Sequence, residues 1–136
     1  MSTSLQTAVI IVVEDDQNDQ IIIPDLLRLG GATQCYVRKT VATALTYAER
    51  LPRVDIFLAD INMPGESGYD LLKLVRQHEK LQQAKVVAVT AGTMAEDIRK
   101  VRDFGFDGFI GKPIQAKSFA QQVQDILNGE TVWHWR

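Results

Sequence analysis

Four places in the chain could do chemistry, and each directly follows a short apolar run. Glu14-Asp15-Asp16 follows the run over 8–13, and Asp60 closes the run over 54–59. Thr90-Ala91-Gly92 follows 86–89, and Gly111-Lys112-Pro113 follows 108–110. If these runs are neighbouring parallel strands, their carboxyl ends gather three carboxylates, a hydroxyl and an ammonium in one small volume. Clustered carboxylates raise one another's pKa unless a cation joins them. Oxygen ligands at that density suit Mg²⁺, which prefers octahedral coordination and keeps several waters. Lys112 alone cannot neutralise three acids, but it can hold an incoming phosphoryl oxygen. A carboxylate nucleophile, Mg²⁺ and a lysine are the parts of phosphoryl transfer to an aspartate.

Elements of the right type surround these residues. The runs at 8–13 and 86–89 are continuous and rich in Val and Ile, as strands covered on both faces are. Residues 33–37 form a weaker, more polar candidate, which suggests an edge strand. Between the runs, apolar residues recur at helical spacing: Val41, Ala44, Leu45, Ala48 and Leu51; then Leu71, Leu72 and Val75; then Ile98 and Val101; then Phe119, Val123, Ile126 and Leu127. A capping box over 93–96 and a looser one over 67–70 mark helix starts, and Gly30, Gly31 and Gly105 mark stops. Pro24 lies inside the first helical segment and predicts a kink or a delayed start. The order is β-α repeated five times. That alternation predicts one doubly wound parallel sheet of five strands with helices on both faces.

Composition bounds the rest. At 136 residues the chain makes one domain. With 46% hydrophobic and 24% charged residues, it has the composition of a globular protein rather than a disordered one. Net charge is −2, so charge balance gives no case for nucleic acid or an anionic membrane. The run at 8–13 is far short of the about 20 residues a membrane helix needs. It has no basic residue before it, so no secretory signal is expected. Cys35 is the only cysteine, which excludes a disulfide framework and fits a reducing cytoplasm.

The motifs VVEDD, LADINMPGESG, VVAVTA and GFIGKP resemble those of a response-regulator receiver domain of the CheY-like type. They stand in family order over residues 7–128, with a short tail over 129–136. The resemblance implies strand order 2-1-3-4-5 and a single stand-alone receiver. It implies that Asp60 is the phosphoacceptor and that Mg²⁺ is held by Glu14, Asp15, Asp60 and the Asn62 carbonyl. It makes Thr90 the switch hydroxyl, Phe109 the switch aromatic and Lys112 the phosphate-binding lysine. The Ala91 N–H would face the phosphoryl group, and the Lys112–Pro113 bond would be cis. The implied donor is a sensor histidine kinase or a histidine phosphotransfer protein. The implied output is a changed surface for a downstream protein or a second copy. The runner-up is an interaction module on the same fold that ignores phosphorylation. A flavodoxin-like cofactor site is rejected, because Glu14-Asp15-Asp16 would repel phosphate where a phosphate loop is needed.

Other residues have plainer readings. Asp16 is expected to cap a helix. His78 and His134 are expected at the surface and in the tail rather than in catalysis. Arg99, Lys100 and Arg102 read as the wet face of the fourth helix, and Cys35 as a small packed residue. Trp133 and Trp135 would be an apolar liability if left exposed. They are expected either to fold back on the domain or to meet a partner.

Overall fold

The structure, a computed structural model, describes residues 3–63, 65–91, 95–130 and 132–134. Strands β1 (Val9–Val13), β2 (Gln34–Arg38), β3 (Ile56–Ala59), β4 (Lys85–Thr90) and β5 (Gly108–Gly111) alternate with five helices. These are α1 (Gln17–Leu29), α2 (Val41–Arg50), α3 (Gly68–Gln77), α4 (Ala95–Phe104) and α5 (Phe119–Leu127). A sixth strand, β6 (Val132–His134), follows α5. All adjacent pairs are parallel and the order is β2-β1-β3-β4-β5-β6. The expected order of five strands is present, but the sheet has six.

The sheet separates two apolar layers. On one side Val9, Ile11, Val13, Phe57 and Phe109 meet α2, α3 and α4. On the other, Ile10, Val12, Leu58, Val87 and Ile110 meet α1 and α5. Every residue of β1, β3 and β5 is buried, so continuous apolar runs are what these positions require. β2 is an edge strand and mostly half-buried, as its polarity implied.

Three sequence expectations need correction. The run at 54–59 begins its strand only at Ile56. Asp55 instead accepts the Val9 N–H at 2.7 Å and pairs with Arg53, tying down the start of β1. Of the two outcomes expected of Pro24, the delayed start is the one that fails: α1 starts seven positions earlier at Gln17 and runs through a buried Pro24. Only the first-turn residues of a helix leave their N–H unpaired. Here the missing donor is carried in the interior, on a side chain packed against the core. The third correction is β6. α5 ends in a Schellman arrangement: Glu130 N–H meets Asp125 O at 2.9 Å and Gly129 N–H meets Ile126 O at 3.0 Å. Gly129 sits at φ +91°, where side chains are disfavoured, and turns the chain back along β5. Val132 is then buried and Trp133 packs on the α4 side of the sheet. The Arg102 guanidinium lies 5.0 Å above its ring. Trp133 therefore folds back on its own domain. Trp135, the His134 side chain and the capping box expected over 93–96 lie outside the described residues.

Candidate functional site

Ladder hydrogen bonds carry the strands one residue past their ends and deliver the acids. Glu14 N–H bonds to Arg38 O at 3.0 Å, prolonging the β1–β2 ladder. Asp60 N–H bonds to Val13 O at 3.1 Å, prolonging the ladder between β1 and β3. Asp16 then caps α1 by accepting the Asp19 N–H at 2.9 Å, as expected. The result is that oxygens of Glu14, Asp15 and Asp60 lie within 4.8 Å of one another. Glu14 is buried, Asp60 half-buried and Asp15 exposed.

The two oxygens of Asp60 have different partners. Oδ1 accepts the Asn62 backbone N–H at 2.8 Å and the Thr90 hydroxyl at 3.1 Å. Oδ2 accepts Lys112 Nζ at 3.1 Å. Thr90 ends β4, is fully buried, and also accepts the Asn62 side-chain amide at 2.9 Å. Lys112 follows β5, where its N–H bonds to Thr90 O at 2.9 Å and its bond to Pro113 is cis. Ala91 comes directly after β4. The turn after Asp60 packs closely on Gly68: a Cβ there would lie 2.7 Å from Ile61 Cγ2 and 3.2 Å from Asp60 O. Asp70 accepts the Ser67 N–H at 2.8 Å and starts α3 behind that turn.

Lys112 Nζ makes two further contacts, to Glu14 Oε1 at 2.5 Å and Asp19 Oδ2 at 2.7 Å. Asp19 was not among the sequence candidates. An acid in the first turn of a helix reads as a helix-dipole partner, and nothing in its spacing points to Lys112. Burial pushes Glu14 up to about 7; the Lys112 hydrogen bond and charge oppose the rise, and neighbouring Asp60 adds to it. Burial pulls the Lys112 ammonium down, but its hydrogen bonds to Asp19, Glu14 and Asp60 prevail and hold it above the ordinary lysine value. Three carboxylates thus face one ammonium, and the Asp15 carboxylate lies beside two of them. The donor set is all oxygen, clustered and short of positive charge, which fits a hard dication such as Mg²⁺. Glu14, Asp15 and Asp60 are the groups whose oxygens lie close enough together to hold it.

Residues 10–124 match the response regulator receiver domain. The chain belongs to the response regulator receiver family. Such domains are modules of two-component signalling rather than conventional enzymes. The polar-differentiation response regulator DivK of Brucella anthropi is 30% identical over 118 residues, 87% of this chain and 94% of that protein. DivK of Brucella ovis is 29% identical over 121 residues, 89% of this chain and 97% of that one. The chemotaxis response regulator CheY4 of Vibrio cholerae shares the fold, with a TM-score of 0.79 at 22% identity, covering 88% of this chain and 98% of that one.

The remaining candidates of this receiver stand away from the acidic site. His78 lies at the far end of α3, about 15 Å along the helix from the Asp60 turn at 1.5 Å per residue. Its Nε2 is 3.5 Å from Glu49 and its Nδ1 accepts the Lys80 N–H at 3.2 Å. Arg99, Lys100 and Arg102 are exposed on α4, with Lys100 Nζ 5.0 Å from the Tyr69 ring centre. Cys35 is packed in the core, and burial pushes its thiol up to about 11, so it is inert at neutral pH.

Proposed function

We propose that this receiver takes a phosphoryl group from a phosphohistidine onto Asp60. An Asp60 oxygen attacks phosphorus, the P–N bond breaks, and the imidazole leaves with a proton. The partner is a sensor histidine kinase or a histidine phosphotransfer protein. Mg²⁺ bound by Glu14, Asp15, Asp60 and the Asn62 carbonyl would supply the charge neutralisation that the incoming phosphoryl group demands. Lys112 secures one phosphoryl oxygen, while the Thr90 hydroxyl and the Ala91 N–H receive others. The Asn62 N–H holds Asp60 in place from the other side.

One observation carries this reading: Asp60 is gripped at Oδ1 by Asn62 and Thr90 and at Oδ2 by Lys112, beside two further carboxylates. A structural aspartate needs no such surround. Output follows from Thr90 and Phe109, which bias one pre-existing equilibrium of the surface formed by α4, β5 and α5. That surface would meet a downstream protein or a second copy, in the cytoplasm. The similarity to DivK, which this chain matches over nearly its whole length, supports a stand-alone regulator.

The test is incubation with acetyl phosphate and Mg²⁺, read by intact mass. The wild type should gain one phosphoryl group, and chelation or Asp60→Asn should abolish the gain. Labelling at another residue would overturn the assignment. No labelling by any donor, with partner binding intact, would favour a phosphorylation-independent interaction module.

A further inference from the structure

We propose that Asp19 is a competing anchor for Lys112, a positioning residue that sets how readily the ammonium is given up to an incoming phosphoryl oxygen. The proposal rests on the reading of Asp60 as phosphoacceptor. An ammonium has three N–H donors. Those of Lys112 are met by Glu14 at 2.5 Å, Asp19 at 2.7 Å and Asp60 at 3.1 Å. A new phosphoryl oxygen must therefore displace a carboxylate from a fully engaged group.

The three carboxylates are not equivalent. Glu14 and Asp60 belong to the trio that suits a cation, and Asp19 does not. A cation would draw Glu14 and Asp60 toward itself and leave Asp19 as the partner that keeps Lys112. Its backbone is fixed at the first turn of α1 by the hydrogen bond to Asp16. Its side chain is 20% exposed against 1% for Glu14, so it stands toward the mouth of the site. Two effects follow with the same sign. Asp19 occupies the ammonium, and it places a negative charge where an anionic donor enters. Both slow phosphorylation, and an amide of the same shape removes the charge and keeps only a weaker, neutral acceptor for the ammonium.

The experiment compares wild type, Asp19→Asn and Asp19→Glu with two donors, acetyl phosphate and the less anionic phosphoramidate, at low and high salt. A thermal melt checks each variant's fold. Asp19→Asn should speed phosphorylation by acetyl phosphate about tenfold at low salt, the size of one removed charge at short range. The gain with phosphoramidate should be smaller, and salt should erode the difference. Asp19→Glu keeps the charge and should stay near wild type. In metal-free protein, hydrogen exchange of the Lys112 ammonium, read by NMR, should quicken in Asp19→Asn. Slower or unchanged labelling, or unchanged ammonium exchange, would overturn the proposal. If the wild type is not labelled at Asp60, the phosphoacceptor reading fails instead, and ammonium exchange still tests the Asp19 anchor.

Discussion

Phe109 on β5 and Trp133 on β6 are register partners in adjacent parallel strands, on the α4 side of the sheet. Phe109 is fully buried, and Trp133 with Arg102 covers the sheet next to it. Thr90 meanwhile already donates to Asp60. Both residues proposed for the switch, Thr90 and Phe109, therefore lie inward in the structure.

The tail is therefore expected to be structural. Deleting residues 130–136 removes the burial of Val132 and Trp133 and uncovers the β5 edge. The loss should be about 2–4 kcal/mol, lowering the melting temperature by roughly 6–12 °C in a domain of this size. The open edge should also promote self-association, visible by sedimentation. An unchanged melt with lost partner binding would instead make the tail a docking element.

Asp15 and Asp16 are neighbours with separable roles. Asp16→Ala removes the α1 cap and should cost about 1 kcal/mol, with little effect on Mg²⁺ affinity. Asp15→Ala should weaken Mg²⁺ more than about tenfold, because it removes one of few charged ligands. It should leave the metal-free melt unchanged or raised, since exposed Asp15 adds repulsion beside Glu14 and Asp60. Calorimetric titration and thermal melts check both, and equal effects on affinity would mean the wrong pair was chosen.

Asp107→Ala tests the opposite end of the sheet. Its carboxylate accepts the Val86 N–H at 2.8 Å and pairs with Arg76 at 2.6 Å. Removing it leaves the half-buried Arg76 and the start of β4 without that partner, which should cost about 1–3 kcal/mol. Denaturant unfolding should show the loss. Phosphorylation kinetics should be unaltered, because the site lies at the other ends of the strands.

What the sequence made legible follows from how each signal is written. Glu14, Asp60, Thr90 and Lys112 each stand at the end of an apolar run, so strand positions alone bring them together. Asp19 is one step removed: it reaches Lys112 only because α1 starts where it does. Asp55 and Asp107 anchor strand starts through reciprocal pairs of bonds to Val9 and Val86, which leave no periodic trace. β6 has three residues and no apolar run of its own. It exists because Gly129 redirects the chain onto an unfilled edge, a tertiary effect.

The acid site should impose a pH dependence centred near neutrality. Glu14 is pushed up to about 7 from the model-peptide value of 4.5, chiefly by burial. Between those values the folded metal-free chain binds more protons at Glu14 than the unfolded chain does. Stability therefore falls as pH rises through that window, by on the order of 3 kcal/mol in total. Lys112 stays charged throughout, since its own shift is upward. Mg²⁺ needs the carboxylate, so its affinity runs the other way. It should rise up to about tenfold per pH unit below 7 and level off above, as one proton is displaced per cation. Glu14→Gln should flatten both profiles while lowering Mg²⁺ affinity at high pH. Calorimetric titration at several values between pH 5.5 and 8.5 measures this directly. A wild-type Mg²⁺ affinity constant over that range would show that Glu14 is already ionised in the fold.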